Sequence, residues 1–332
     1  MKRPATRGRE IRDPPPRVRY RSEVHPFRFG VTAGRVPTRE TWTDLARRAE
    51  NLGYHTFLMP DHLGYQLSPV GALAAAAAVT SRIRIGALVY ANDYRHPLLL
   101  AREAATLDHI SNGRVEFGIG AGWNTSDYRQ LGMRYERPGL RIDRMEEALV
   151  VIRRLFAGER VTHSGRHYHL EGARVAPAPV QPRIPILIGG GGPRLLGIAA
   201  RQADIVGLLT QFDRHGRPIA SQATEGETAR KVAIVREAAG SREAFERLEL
   251  NVLVASAGLI GSGASPLGSV ASALKAVAPR VVGGTPYLLH GTLAQVCETL
   301  LRRRDQLGIS YYVWSARMAE PMAPVVEALA GR

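Results

Sequence analysis

An aspartate and a histidine, Asp61 and His62, directly follow residues 55–60, a short segment with the composition of a buried strand. Histidine titrates near neutral pH and can therefore take up or release a proton, and a neighbouring carboxylate can bind a polar group or orient the imidazole. A lone histidine is more often a structural residue. The position directly after a strand favours a role in a site, and we predict Asp61 and His62 as catalytic residues.

The second motif is a run of four glycines that follows another apolar segment: Gly189, Gly190, Gly191 and Gly192. Because glycine has no β-carbon, backbone N–H groups in such a turn can approach an anion closely. A helix beginning at Pro193 would add its dipole, and Arg194 would add a cation. The alternative is a tight turn that binds nothing. We predict a phosphate site, although not a Walker loop, because no Gly-Lys-Ser/Thr sequence follows.

A third motif, Gly118-Ile119-Gly120-Ala121-Gly122, also follows a strand segment. It superficially resembles a dinucleotide-binding fingerprint, but its third glycine has the wrong spacing and no clear helix begins directly after it. Close approach of the backbone to a flat ring or a ribityl chain is the better interpretation. The residues that we predict to contact a cofactor here are Gly120, Ala121, Gly122 and Asn124, whose side-chain amide can both donate and accept hydrogen bonds.

Three histidines, His163, His167 and His169, occur close together in a segment with the pattern of a hairpin. Imidazole is a common zinc ligand, but no cysteine or carboxylate pair nearby completes a ligand set. We therefore predict solvated hairpin residues and no metal site. The Gly-x-Ser-x-Gly elbow of serine hydrolases is absent from the sequence.

The segments that must position these motifs alternate between strand-like and helix-like patterns from Phe27 onward. The strand-like segments are residues 27–33, 55–60, 82–91, 114–119, 184–188, 203–209, 250–255 and 310–314. Eight strands, each followed by a helix, fit a single α/β domain, a (β/α)8 TIM barrel over residues 25–332 with an insertion at residues 160–180. Two doubly wound domains would need a linker, and none is evident. In a barrel, catalytic groups lie at the carboxyl ends of strands, where all three motifs fall.

The overall charge bears on the class of partner. The chain has 332 residues, 45 basic and 30 acidic side chains, and a formal net charge of +15. This charge would suit nucleic acid, but no aromatic-plus-basic platform or recognition helix accompanies it, so we expect no nucleic-acid partner. Residues 1–24 are basic and contain proline without apolar periodicity, which predicts a disordered tail. A polyanionic cofactor or substrate suits this chain better.

The sequence also bears on location. No uncharged apolar segment is long enough to span a bilayer, and the tail lacks the apolar stretch of a secretory signal. The single cysteine, Cys297, excludes an internal disulfide framework. We therefore expect a cytoplasmic protein without a membrane partner.

Several motifs, taken in order, resemble the bacterial luciferase-like flavin and deazaflavin oxidoreductases, especially their coenzyme F420-dependent branch. The residues that carry the resemblance include Pro60-Asp61-His62, Arg95-His96-Pro97 and the segments 107–114, 118–124 and 185–193. Each motif is short, but their order and spacing together are specific, and the resemblance covers residues 27–316. The resemblance implies a (β/α)8 barrel that forms a homodimer and acts on a small organic substrate.

The resemblance also implies roles for individual residues. The third strand would carry a bulge with a non-proline cis peptide bond at Leu88–Val89, and Ala87, Leu88 and Val89 would contact the cofactor ring. Asp61 would contact the polar edge of the ring, and His62 would face the reacting carbon. The glycine run would hold the cofactor phosphate. The residues that would line the substrate pocket are Tyr65, Tyr90 and Trp123.

Trp123 departs from one pattern within this branch. The sugar-phosphate dehydrogenases have a glutamate at this position that serves as an acid, so the resemblance does not support oxidation of a sugar phosphate here. We interpret Trp123 as a wall of the ring or substrate pocket. Packing in the core is the alternative.

The resemblance leaves two cofactors open. F420 carries a phosphate and an oligoglutamate tail that suit an arginine-rich chain, and its ring transfers hydride, whereas FMN has a shorter anionic tail and would engage the same glycines. We predict an F420-dependent oxidoreductase. One alternative is an FMN-dependent monooxygenase that uses oxygen and a flavin reductase partner. An alternative from another class is a nucleic-acid-associated protein with a basic tail.

Overall fold

The computed structural model describes residues 25–34, 38–64, 66–211, 219–260 and 284–332. The tail of residues 1–24 and the predicted pocket residue Tyr65 lie outside these ranges. Within them, no helix has the length and apolar character needed to cross a bilayer.

Strands and helices alternate along most of the chain. The strands are β1 (Arg28–Thr32), β2 (Thr56–Met59), β3 (Arg84–Ala87), β4 (Tyr90–Ala91), β5 (Val115–Gly120), β6 (Val161–Ser164), β7 (His169–Ala173), β8 (Ile186–Gly190), β9 (Ile205–Leu208), β10 (Glu249–Val254), β11 (Ser256–Leu259), β12 (Leu288–Gly291) and β13 (Ile309–Ser315). The helices are α1 (Arg39–Asn51), α2 (Pro69–Ala78), α3 (Pro97–Ile110), α4 (Thr125–Gln130), α5 (Pro138–Phe156), α6 (Pro193–Gln202), α7 (Glu225–Ala239), α8 (Arg242–Glu246), α9 (Leu293–Leu307) and α10 (Ala319–Leu329).

The strands close into a parallel barrel. Hydrogen-bonded neighbours follow the order β3-β2-β1-β13-β10-β9-β8-β5, and β3 also pairs with β5, which closes the ring. β4 continues the position of β3 and pairs with β5 as well. This ring confirms the predicted (β/α)8 barrel. The antiparallel hairpin of β6 and β7 falls in the predicted insertion, and β11 pairs with β12 in a separate parallel sheet.

Local sequence signals set the ends of two helices. Pro97 begins α3, and Asn112 and Gly113 adopt the left-handed conformation directly after it, with φ of 55° and 79°. Thr292 and Gln295 form a reciprocal capping box at the start of α9, which satisfies two backbone N–H groups. Both boundaries thus follow from residues close to them in sequence.

The third strand of the barrel is interrupted between β3 and β4. The Leu88–Val89 peptide bond is cis and does not involve proline, as the family resemblance implies. Both side chains pack on the interior cluster that contains Leu58 and Tyr311. Because two consecutive residues face inward, the strand resumes with Tyr90 on the outer face, where its ring packs on Phe117 at 5.6 Å.

The barrel interior differs between its two ends. At the amino ends of the strands, Arg28 forms buried ion pairs with Glu116 and Glu249. Next to these two ion pairs, towards the carboxyl ends of the strands, lies an apolar cluster made of Leu58, Leu187, Ile205, Tyr311 and Val313. Towards the carboxyl ends of three adjacent strands the residues are glycines: Gly120 in β5, Gly189 in β8 and Gly207 in β9, the last two directly paired. Backbone therefore replaces side chains on this side of the barrel mouth.

Candidate active site

A cleft lies at the carboxyl end of the barrel, among the loops that follow β1, β2 and β5. Its volume is about 760 Å³. Its lining includes Gly34, Pro60, His62, Leu63, Asn124 and Asp127. The structure thus brings His62 and Asn124, which were predicted from two different motifs, to one cleft.

His62 lies at the edge of this cleft with its side chain 31% exposed. Its Nδ1 is 2.7 Å from Oδ2 of Asp127. Its ring meets the Trp123 ring edge to face, with the centroids 5.3 Å apart. Because Asp127 occupies Nδ1, Nε2 is the ring nitrogen left to meet a ligand in the cleft.

Asp127 is a site residue that the sequence analysis did not identify. It lies in the short helix α4 and is buried. Its Oδ2 also accepts a hydrogen bond from the Tyr94 hydroxyl at 3.2 Å, and its Oδ1 accepts one from the Leu63 amide at 3.3 Å. Burial raises the pKa of Tyr94 well above its ordinary value and the Asp127 charge raises it further, so Tyr94 stays protonated and donates.

Asp61, the other member of the predicted pair, is buried and points to a different set of partners. Its two oxygens accept from the Arg95 guanidinium at 2.7 and 3.1 Å, and Oδ2 also accepts from the Ala91 amide at 3.1 Å. Ala91 belongs to β4, directly after the bulge. Asp61 therefore links the end of β2 to the strand that follows Leu88–Val89. A direct contact between Asp61 and a cofactor stays a prediction.

The four glycines span the end of β8 and the start of α6. Gly192 is the N-cap of α6, with extended backbone, and offers no side-chain hydrogen bond to the amides of the first turn. Among the residues that the structure describes, a β-carbon built on Gly192 would meet no atom within 4 Å. An uncapped helix start beside open space has free amide donors and a favourable dipole, which suits an anion.

The glycine run lies next to the bulge of the third strand. A β-carbon built on Gly189 would lie 3.4 Å from Cγ1 of Val89, and one built on Gly120 would lie 2.7 Å from Cγ2 of the same side chain. The structure thus brings together three features that were predicted separately: the bulge, the glycine run and the motif at the end of β5.

Arg194, predicted to assist the glycine run, makes its contacts on α5. Its guanidinium donates to Asp143 at 2.5 Å and to the Gly139 carbonyl at 3.1 Å, and it lies 3.6 Å from Glu146. These carboxylates already balance its charge. A role of Arg194 in phosphate binding therefore stays a prediction.

The loop after β5 is held by α5 and by the segment just before it. The buried Arg141 guanidinium donates to the carbonyls of Ala121 and Gly122, and the Tyr135 hydroxyl donates to the Trp123 carbonyl at 3.1 Å. These contacts fix the backbone of the loop. The Asn124 side chain accepts from the Ser126 amide at 3.1 Å and caps α4, so its carbonyl oxygen is used locally.

The predicted pocket residues occupy different surroundings. Trp123 is exposed beside His62, and its role as a pocket wall stays a prediction. Tyr90 is buried in the core with its ring on Phe117, and the structure does not bring it to the cleft. Ala87, Leu88 and Val89 lie at the bulge as expected.

Lys231 is a second residue that the sequence analysis did not identify. It is buried in α7, and its ammonium group donates to the carbonyls of Leu209 and Gln222 at 2.9 and 2.8 Å. Burial lowers the pKa of Lys231 to about 8. Because Gln211 of the same loop donates to the Gly191 carbonyl, Lys231 anchors the segment that packs on the glycine run.

Two of the three hairpin histidines, His163 and His167, contact a carboxylate from α5, the latter through its backbone amide. Glu147 lies 3.1 Å from Nε2 of His163 and accepts hydrogen bonds from the amides of His167 and Tyr168. In the part of the chain that the structure describes, no group of three or more metal-ligating side chains is present.

Comparison with known proteins gives the wider context. An F420-dependent glucose-6-phosphate dehydrogenase from Microbacterium testaceum is 33% identical over 188 residues, which are 54% of this chain and 55% of that protein. Limonene 1,2-monooxygenase from Rhodococcus erythropolis is 35% identical over 161 residues, 46% of this chain and 41% of that protein. The chain thus matches about half the length of these relatives.

Solved structures agree with the fold. The F420-dependent tetrahydromethanopterin reductase from Methanopyrus kandleri aligns with a TM-score of 0.73 at 20% identity, covering 92% of this chain and all of that one.

The sequence model of one protein family, described as luciferase-like monooxygenase, matches residues 24–256. The chain belongs to the luciferase-like monooxygenase family.

Proposed function

We propose that this protein is an oxidoreductase that binds the deazaflavin cofactor F420 at the carboxyl end of its barrel. It transfers a hydride between that cofactor and a small organic substrate. The observation that carries the proposal is the contact region between Val89 and the glycines 120 and 189. It places a backbone bulge and a side-chain-free surface next to each other, at the end of the barrel where His62 also lies.

The residues at this end fit such a cofactor. Gly120, Gly189 and Gly207 carry no side chains on three neighbouring strands, and the Val89 side chain packs against the first two. A flat ring would rest on Val89 and on the glycine backbone beside it. The amides at the start of α6 would hold the phosphate, since Gly192 neither caps them nor fills the space in front of them. Asp61 would act indirectly, by fixing β4 and hence the bulge.

When bound, F420 supplies two-electron hydride chemistry. The protein would supply orientation and a proton site. Nε2 of His62 is suited to hold or release a proton, because the ring is fixed through Nδ1 and reaches the cleft. Trp123 packs on this imidazole and shields one side of it from water.

One alternative has support of its own. Limonene 1,2-monooxygenase, a relative at 35% identity, is named for an oxygen-inserting reaction. An FMN-dependent monooxygenase with a reductase partner would use the same glycine run, because both cofactors carry an anionic tail.

The two candidates are separated by titrating the purified chain with F420 and with FMN in parallel, following cofactor fluorescence. We expect F420 to bind at micromolar concentration and FMN at least about tenfold more weakly, a difference of about 1.4 kcal/mol. Tighter binding of FMN, with oxygen uptake on its reduction, supports the alternative. Binding of neither cofactor overturns both.

A further inference from the structure

We propose that Asp127 is a positioning residue for His62, which it holds in one orientation and one tautomer with Nε2 towards the cleft. The kinetic consequence rests on the proposed function. The tautomer does not, because it can be measured in the protein without any cofactor or substrate.

The geometry of the pair is that of a strong hydrogen bond. Nδ1 of His62 and Oδ2 of Asp127 are 2.7 Å apart, and the Asp127 side chain is almost fully buried. A hydrogen bond to an ionised partner is shorter and stronger than one between neutral groups. The Trp123 ring packs edge to face on the imidazole of His62 and thereby restricts rotation of the imidazole about its Cβ–Cγ bond.

The hydrogen-bond donors around Asp127 determine which ring nitrogen of neutral His62 carries the proton. An ionised carboxylate only accepts hydrogen bonds, and the Tyr94 hydroxyl and the Leu63 amide both donate to it. Asp127 therefore needs Nδ1 of His62 to donate too. In the neutral imidazole this places the only proton on Nδ1 and leaves Nε2 with a free lone pair.

The elements that carry Asp127 are themselves fixed. Asn124 caps α4 ahead of it. Tyr128, which follows it in α4, donates to Asp93 at 2.9 Å, and Arg144 holds Asp93 with two hydrogen bonds. The carboxylate is thus placed by α4 and α5, while the Leu63 amide ties it to the loop that carries His62.

Two ionisable groups beside His62 are engaged elsewhere. Asp61, its chain neighbour, is paired with Arg95, which also lies 3.4 Å from Glu103, and Tyr94 is protonated. Among the described residues, Asp127 is the carboxylate that is hydrogen-bonded to the imidazole.

The test is NMR of the whole chain labelled with 15N-histidine, with the His62 signals identified by their loss in His62→Gln. We expect neutral His62 to carry its proton on Nδ1. In Asp127→Asn, whose amide can donate to Nδ1, we expect a shift of the population towards the Nε2–H form. We expect hydride transfer to slow by about 10- to 100-fold while the Kd for cofactor stays within about threefold.

Two variants keep the proposal falsifiable if Asp127→Asn folds poorly. Asp108→Asn alters another buried aspartate that accepts hydrogen bonds from backbone amides, away from the cleft, and should lower stability without moving the His62 tautomer. Tyr94→Phe removes one donor from Asp127 and should leave the proton on Nδ1. A wild-type protein with its proton on Nε2, or an Asp127→Asn variant with an unchanged tautomer, overturns the proposal. If the wild-type protein shows the expected tautomer but catalyses no hydride transfer, that result counts against the proposed function and not against this proposal.

Discussion

Gly189 faces Val89 across the mouth of the barrel: a β-carbon built on Gly189 would lie 3.4 Å from Val89 Cγ1, an ordinary van der Waals distance. The glycine does not have positive φ, and the fold would accept a methyl group there. The folded chain itself therefore does not require glycine at this position, which leaves the space beside it open to a bound group. A ring that rests on the bulge is the candidate.

Gly189→Ala tests this argument directly. We expect the free energy of unfolding to stay within about 1 kcal/mol of the wild-type value, because the added methyl group makes only ordinary van der Waals contacts. The Kd for F420, measured by fluorescence, should rise by at least about tenfold, since the methyl occupies space beside Val89. Gly197→Ala, which adds a methyl in ordinary contact within α6, is the matched control and should bind normally. Equal affinities in both variants would contradict the placement of the ring.

The two glycines at the start of α6 should respond differently to alanine. A β-carbon on Gly191 would lie 2.5 Å from the Leu209 carbonyl oxygen, so Gly191→Ala should lower the melting temperature by several degrees. Gly192→Ala meets no described atom within 4 Å and should melt as wild type, yet it adds a methyl group at the N-cap of α6. We expect it to weaken F420 binding by about three- to tenfold. Gly71→Ala, equally open among the described residues but in α2, is the control, and equally weakened binding there would remove the phosphate interpretation.

The Asp61–Arg95 ion pair should contribute more to the free energy of unfolding than ion pairs on the surface do. Asp61→Asn removes one partner of an almost buried bidentate pair, and we expect a loss of about 3 kcal/mol in the free energy of unfolding by urea. Asp44→Asn disrupts the exposed pair with Arg47 and should change this energy by less than about 0.5 kcal/mol. Similar losses in the two variants would show that Asp61 does not anchor the bulge.

Much of the fold could be predicted because its signals are local. Strand segments, helix caps and the glycine run depend on residues close in sequence, and the structure confirms the barrel and the hairpin. The cis bond at Leu88–Val89 is confirmed as well, although only the family resemblance indicated it.

The partners of the site residues could not be predicted because they come from distant segments. Asp127 lies 65 positions after His62, in a short helix without apolar periodicity. Arg194 is drawn to Asp143, which is 51 positions away on α5. Sequence patterns indicate which face of an element is buried, but not which buried carboxylate a given donor reaches.

Tyr90 shows a different limit. A regular strand alternates its side chains, and the bulge interrupts that alternation by turning Leu88 and Val89 to the same side. The tyrosine then packs outward on Phe117 and does not reach the pocket side. Its environment depends on a backbone irregularity rather than on its own residue type.

The buried charges at the amino end of the barrel predict a pH dependence of stability. Glu116 and Glu249 share the Arg28 guanidinium in this buried region. Burial raises the pKa of Glu249 to about 7, Arg28 opposes this rise, and the Glu116 charge adds to it. In the unfolded chain the same carboxyl has a pKa of about 4.3. Because the folded state holds the proton more tightly, this contribution to stability is fully present below about pH 4 and is lost as the pH rises through 7.

Glu249→Gln should remove this dependence. We expect the stability of wild type relative to the variant to fall by roughly 3 kcal/mol between pH 4 and pH 8, measured by urea unfolding at each pH. Subtracting the variant cancels the contributions of histidines and other carboxylates that both proteins share. Glu243→Gln, an exposed residue paired with Arg247, is the control and should parallel wild type at every pH. A wild-type advantage that grows with pH would mean that Arg28 outweighs burial and keeps Glu249 ionised.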